Sequence, residues 1–282
     1  MNFVHEKATA YIPSGKAYEE ALASTTHLAI VAHQDDTEIL AYNGIAQCFG
    51  QSDLNFSSVI VSNGSGSPRT GIYAAYSDEE MQAIRRDEQN KAASLGDFAA
   101  QIQLAYPSSE IKDSQNKNTV AELRAILQVA QPEVLYLHNP ADKHDTHVAT
   151  MLRSIEALRS LPKEQRPKKV YGCEVWRDLD WMMDDEKVVL PTDQYPHIAQ
   201  ALIAVFDSQV SGGKRYDLAT VGRRVANATY FASHEVDACD SMNFAMDLTP
   251  LIEDEKLSIS DYVKSTIERF QNDVCNKLDN LS

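Results

Sequence analysis

The sequence contains no run approaching the roughly 20 consecutive apolar residues that a membrane-spanning helix needs. Its first eleven residues, with His5, Glu6 and Lys7 among them, lack the charged-then-apolar order of a secretory signal. The expectation is a soluble, cytoplasmic protein with no membrane span. Cysteine is sparse: Cys48, Cys173, Cys239 and Cys275 lie far apart and form no C-x-x-C pair. That spacing excludes a Cys-rich zinc site and offers no disulfide framework. Positive charge is also scarce, 26 Lys and Arg against 41 Asp and Glu, for a net charge of −15. So acidic a surface repels phosphate backbones and anionic bilayers, which argues against nucleic acid as a partner. The one basic stretch, residues 163–169, reads as a solvated loop. No G-x-x-x-x-G-K-[ST] pattern is present, which excludes a P-loop. There is no internal repeat or low-complexity tract.

What is present is ordinary for a globular chain: 282 residues, 43% of them hydrophobic, enough for a sizeable core. Short apolar runs alternate with helical spacing. Strands are expected at 27–32, 57–62, 101–105, 133–138 and 169–176. Helices are expected between them, over 37–49, from the Ser77-Asp-Glu-Glu80 capping box to Gly96, from Asn118 to Pro132, and from Asp145 or Thr146 through Leu158. Beyond Pro191 the pattern turns mainly helical, over 196–206, 215–231 and 259–278. This alternation predicts a doubly wound, mostly parallel α/β sheet sandwiched by helices, Rossmann-like, with a helical C-terminal extension. A single domain is expected over 1–282, with its core at about 25–210 and the extension at about 211–282.

In an open parallel sheet, ligands bind beyond the carboxyl ends of the strands. Two such ends are dense in metal-competent groups: His33-Gln-Asp35-Asp36-Thr-Glu38 and His138-Asn-Pro-Ala-Asp142-Lys-His144-Asp145-Thr146-His147. His33 and Asp36 lie three residues apart across a turn into a helix, and His147 can add a third ligand from the other strand end. Two imidazoles and one carboxylate, with a position left for water, suit catalytic zinc, and Asp35 beside them suits a base. Singly, each residue has a structural explanation: an Asp pair opening a helix caps it, and a strand-end His commonly bonds its own loop. The joint pattern after two apolar strands points to a metal site.

Ala32-His-Gln-Asp-Asp-Thr-Glu38 resembles the AH-x-DD-x-E signature of the LmbE-like, or PIG-L, family of zinc-dependent N-acetylglucosaminyl deacetylases. His144-Asp-Thr-His147 is similar to the family's second motif, H-x-D-H, with Thr146 where the Asp usually stands. Arg85-Arg-Asp-Glu88, Leu95-Gly96 and Ser208-Gln209 resemble further family features. The resemblance covers roughly residues 25–210. It implies that His33, Asp36 and His147 hold Zn2+ (or another divalent metal) and that Asp35 is the general base. It also implies that His144 stabilises the tetrahedral intermediate or protonates the leaving amine. Some members place Tyr two residues before this His, where Asp142 stands here. The implied reaction removes an acetyl group from an N-acetylglucosamine-type amino sugar or its conjugate, a small-molecule partner. Homo-oligomers are common in the family. Two alternatives stay open: a non-catalytic sugar-binding member, or a zinc hydrolase of a different amide or ester.

Four residues are weaker substrate-binding candidates. Arg69 lies in the Gly/Ser-rich stretch 63–71, which reads either as a surface loop or as a lid. Arg85 belongs to the helix after the second strand and reads equally as support. Glu174 and Arg177 lie in a segment of aromatic and charged residues suited to sugar or carboxylate recognition, or form a structural pair. No role is assigned to His138.

Overall fold

The computed structural model describes residues 3–282. Eight strands form one sheet: β1 (Thr9–Tyr11), β2 (His27–Val31), β3 (Phe56–Ser62), β4 (Ala100–Tyr106), β5 (Val134–His138), β6 (Lys169–Cys173), β7 (Lys187–Pro191) and β8 (Met242–Asp247). Their order is β1-β4-β3-β2-β5-β6-β8-β7. The central five, β4-β3-β2-β5-β6, run parallel, whereas β1, β8 and β7 join antiparallel to their neighbours. The five parallel strands are the five expected from the sequence, and helices flank them in a doubly wound α/β arrangement.

The reason lies in the alternation of side chains along each strand. In β2, Leu28 and Ile30 enter one core with Val59, Leu104, Leu123, Leu135 and Ile155. Ala29 and Val31 enter the other with Ile45, Ile60, Phe98 and Tyr136. Burial on both faces is why these strands read as continuous apolar runs. The Ser77 capping box forms as expected and opens the helix Asp78–Leu95, which stops at Gly96.

Some elements differ from the sequence expectation. The single helix expected over 37–49 is two, Asp36–Leu40 and Tyr42–Cys48, broken at Ala41 where the backbone leaves helical values. The helix expected to be capped by Asn118 takes Lys117 as its N-cap and Asn118 as its first residue. The C-terminal stretch does hold the long helix Ile259–Leu281, but it also supplies β8, inserted between β6 and β7. Met242-Asn-Phe-Ala-Met-Asp247 has no β-branched residue and a single aromatic, so its composition carries only a weak strand signal. Among the described residues no helix is long and apolar enough to cross a membrane.

The chain runs from β2 outward to β3 and β4, then returns to the opposite side of β2 for β5 and β6. The switch point therefore falls between β2 and β5, where a crevice opens beyond the strand ends. Both histidine-bearing segments leave the sheet there.

Candidate metal centre

His33 follows β2 in a tight turn. Its backbone N–H donates to Asp36 Oδ2 at 2.7 Å, while Asp36 N–H donates to His33 O at 3.3 Å. This double closure turns the His33 ring and the Asp36 carboxylate toward one point. The helix Asp145–Arg159 brings His147 to the same point from the end of β5. His33 Nδ1 stands 3.2 Å from Asp36 Oδ2 and 3.1 Å from His147 Nε2, and His147 Nε2 stands 3.4 Å from Asp36 Oδ2. Donors on a tetrahedral zinc, each about 2.0–2.1 Å from it, stand about 3.3–3.4 Å apart. The three expected ligand atoms thus have the spacing of a shared cation.

The electrostatics agree with that use. Burial pushes the His33 imidazole down to about 4, against the opposing pull of Asp36, so its ring is neutral at pH 7. Burial alone would raise the Asp36 carboxyl, but the His147, His138 and His33 rings outweigh it and hold Asp36 well below the carboxylate range. Burial would lower His147, and the Asp36 and Asp142 carboxylates raise it.

Two other trios lie close enough to be considered, Asp36–His138–His147 and His33–His144–His147. Hydrogen bonding disfavours both. His138 Nε2 already accepts the Ala32 N–H at 2.9 Å, so its lone pair is spent. His144 caps its helix by accepting the Thr146 N–H on Nδ1 at 3.2 Å. The proton of its neutral ring, which burial and His147 keep neutral, therefore sits on Nε2. That leaves His144 a donor and not a ligand.

Sequence reading missed two members of this cluster. His138 is fully buried, stacks on His147 with ring centroids 3.9 Å apart and comes within 3.5 Å of Asp36 Oδ2. Asp142, which stands where some relatives carry a Tyr, has a positioning place. Its carboxylate accepts from His144 N at 2.9 Å and Trp176 N at 3.1 Å, and lies 3.5 Å from His147 Nδ1. A carboxylate on the far nitrogen keeps the near one free for a metal. The signal was available: an Asp two residues before one His and five before another, within one polar loop.

Asp35 goes elsewhere from its neighbour. Its backbone takes φ 94°, rare for a residue with a side chain, and its N–H donates to Gln89 Oε1 at 3.2 Å. Its carboxylate lies 3.5 Å from Arg85 Nη2. Burial pushes the Asp35 carboxyl up, and the Arg85 guanidinium opposes that. Arg85 is itself buried and donates to Gln34 O at 2.8 Å, Gly64 O at 3.1 Å and Ser67 Oγ at 2.7 Å. Gly64 sits at φ 75°, where a side chain would run into Gln34. Arg85 thus ties Asp35 to the 63–71 loop. Glu88, one turn on, accepts Ser208 N–H and Oγ–H at 2.8 and 2.6 Å, and Gln209 donates to Ser67 Oγ at 3.2 Å. The Arg85–Glu88 and Ser208–Gln209 pairs seen in the sequence are one clasp.

One pocket holds His33, Asp35, Asp36, Arg85 and His144, closed over by Ser67, Trp176, Gln209, Lys214 and Tyr216. The other three substrate-binding candidates do not line this pocket. Arg69 donates from its two terminal nitrogens to Tyr76 O, Ser65 O and Asp78, bracing the loop. Arg177 donates to Ala141 O at 2.5 Å, outside the pocket. Glu174 is fully buried, where its carboxylate accepts from Phe244 N at 3.0 Å, Leu179 N at 3.3 Å and the Asn227 amide. Backbone groups and Asp78 thus take up part of the polar surface of these three residues. Of the four, Arg85 lines this pocket and Glu174 the cavity beside it.

Among known families, the one described as PIG-L, GlcNAc-PI de-N-acetylase, matches residues 28–158. The similarity lies in this stretch. It carries both histidine motifs, so the family resemblance read from them holds. No curated protein matches the chain in sequence. Solved structures share the fold at low identity. The 4-carboxy-2-hydroxymuconate hydratase GalB of Pseudomonas putida is 17% identical, with TM-score 0.61 over 79% of this chain and 96% of that one. The N,N'-diacetylchitobiose deacetylase of Pyrococcus horikoshii, solved with an inhibitor, is 15% identical, with TM-score 0.61 over 89% and 93%. A conserved protein of Thermus thermophilus is 17% identical, with TM-score 0.59 over 79% and 94%. One fold here serves a hydratase and a deacetylase, so the reaction must be argued from this chain's own site.

Proposed function

We propose that the protein is a metal-dependent amide hydrolase that removes an acetyl group from an N-acetylglucosamine-type amino sugar or its conjugate. The observation that carries this reading is the convergence of His33, Asp36 and His147 ligand atoms at 3.1–3.4 Å beside a pocket that also holds Asp35 and His144. The PIG-L match over 28–158 and the deacetylase among the structural neighbours support the choice of an acetylated amino sugar.

His33, Asp36 and His147 would hold the metal, with zinc suited to the two-nitrogen, one-oxygen set. When bound, zinc lowers the pKa of water and polarises a carbonyl. Asp35 takes the proton of the attacking water, with Arg85 beside it favouring the ionised carboxylate. His144 offers its Nε2–H to the oxygen of the tetrahedral intermediate, a hydrogen bond that strengthens as charge develops there. The proton held on Asp35 then passes to the departing amine. Asp142 fixes the His147 tautomer and the backbone at His144 together.

The test is acetate release from a panel of N-acetylglucosamine derivatives by purified protein with zinc supplied. Stoichiometric acetate and free amine from at least one derivative, lost in Asp35→Asn, is the expected result. Absence of release across the panel from zinc-loaded protein would overturn the reading. A sugar-binding protein without turnover would instead show binding of the same compounds.

A further inference from the structure

Next to the pocket lies a second cavity that removal of an acetyl group leaves without a use. It measures about 220 Å³ and is walled chiefly by Ile39, Val175, Trp176, Tyr216, Ala219 and Thr220. Asp36, Trp176 and Tyr216 border both spaces, whereas Asp35, His33, Arg85 and His144 face only the pocket. The Trp176 and Tyr216 rings meet edge to face at this junction, centroids 6.4 Å apart. Asp36 and these two rings are thus the wall that the pocket and the cavity share.

Size and polarity indicate what belongs there. An apolar cavity of about 150 Å³ accommodates benzene, so the methyl of an acetyl group would leave most of this space unfilled. Three of the polar side chains along its wall already have partners. Glu174 accepts the Phe244, Leu179 and Asn227 donors. Asn243 Oδ1 accepts from Arg224 Nε at 3.0 Å, and Arg223 donates to Val175 O. No buried side-chain atom that lacks a partner belongs to this wall. The rest of the wall is mainly Ile39, Val175, Ala219 and the Trp176 and Tyr216 rings, which gain from apolar contact.

Building on the amide-hydrolase reading, we propose that the substrate carries an apolar substituent of at least benzene size, which the cavity behind Trp176 and Tyr216 receives. That substituent belongs either to the acyl group or to the amine side of the substrate.

Two substrate series on the zinc-loaded full-length protein separate these sources. One is glucosamine N-acylated with acetyl, butanoyl, hexanoyl or benzoyl; the other is N-acetylglucosamine as its methyl, butyl, hexyl or phenyl glycoside. In one series kcat/KM should rise about fourfold per buried CH2, at least tenfold from the smallest member to the six-carbon one. The series that rises identifies the source. Ala219→Phe, at an exposed position of the rim, and Thr220→Trp, in the wall, should shrink that ratio toward one. Flat or falling profiles in both series, or a rise that survives both substitutions, overturn the cavity proposal while leaving acetyl hydrolysis intact. If no compound is cleaved, the hydrolase reading falls separately. Calorimetric affinities of the hexyl and methyl glycosides, and of the hexanoyl and acetyl glucosamines, then decide the cavity alone: equal affinities within both pairs overturn it.

Discussion

Glu88 and Ser208, 120 residues apart in the chain, are joined by two hydrogen bonds of 2.8 and 2.6 Å into the Glu88 carboxylate. The pair links the helix Asp78–Leu95, which carries Arg85, to the short helix Asp207–Val210, whose Gln209 reaches Ser67 in the pocket. Burial raises the Glu88 carboxyl above its ordinary value, although the Ser208 bonds and Arg85 pull the other way.

That direction fixes a pH dependence. The folded state holds the Glu88 proton more tightly than the unfolded chain, so this side chain's contribution to stability is greatest below the unfolded pKa, about 4.3. It declines as pH rises through the raised folded value and is constant above it. Glu88→Gln cannot ionise, yet its amide can still accept from Ser208 N–H and donate to Ser208 Oγ. Urea midpoints of the two proteins from pH 4 to 8 should show the native protein losing stability relative to Glu88→Gln as pH increases. A relative gain with rising pH would contradict the assignment.

The base and its support should separate in kinetics. Asp35→Asn should keep its metal and lose about 10²–10⁴-fold in kcat, the usual worth of a positioned base. Metal analysis of the variant is the control, because a drop in metal content would make Asp35 a ligand instead. Arg85→Met should lower kcat/KM by about 10–100-fold, since it removes hydrogen bonds from a charged group worth about 1.5–3 kcal/mol each.

Asp142 should act through His147 on metal affinity. Asp142→Asn keeps the volume and one acceptor but leaves no carboxylate on His147 Nδ1, now 3.5 Å from Asp142 Oδ2. Zinc affinity by competition with a chelator should fall about 10–100-fold, the typical cost of losing such a partner. Saturating zinc should restore part of the activity. Unchanged affinity would mean that Asp142 serves only the loop.

How far the sequence could be read follows from what each residue answers to. The five central strands were legible because both of their faces are buried, and the clustering of His33 with Asp36 and of His144 with His147 because residues at one strand end sit at short, fixed spacing. Asp142 and His138 were hidden because their roles depend on a contact between two strand ends, not on local spacing. Arg69, Glu174 and Arg177 looked available because charge in a loop is visible in a sequence and its backbone partners are not. β8 was illegible because Asn243 and two methionines are placed by neighbours: Asn243 takes a bond from Arg224, and Met242 and Met246 fill the core.

Arg224 is the residue whose importance only the fold reveals. It is 3% exposed and faces no carboxylate within salt-bridge distance among the described residues. It donates to Glu38 O at 2.8 Å, Ile39 O at 3.1 Å and Asn243 Oδ1 at 3.0 Å, and its guanidinium lies 5.0 Å from the Tyr42 ring centre. Burial pushes its pKa down to about 10, still charged at pH 7. A cation on the last carbonyls of the helix Asp36–Leu40 complements that helix end and holds the element bearing Asp36 against the helix Tyr216–Tyr230, which walls the pocket. Arg224→Met should strand those acceptors and lower stability by about 1–3 kcal/mol. It should also weaken zinc retention, because Asp36 loses its brace. Arg224→Lys, able to reach one acceptor, should fall between the two in urea midpoint and metal content. If Arg224→Met kept the native midpoint and zinc content, the two helices would be held by apolar packing alone.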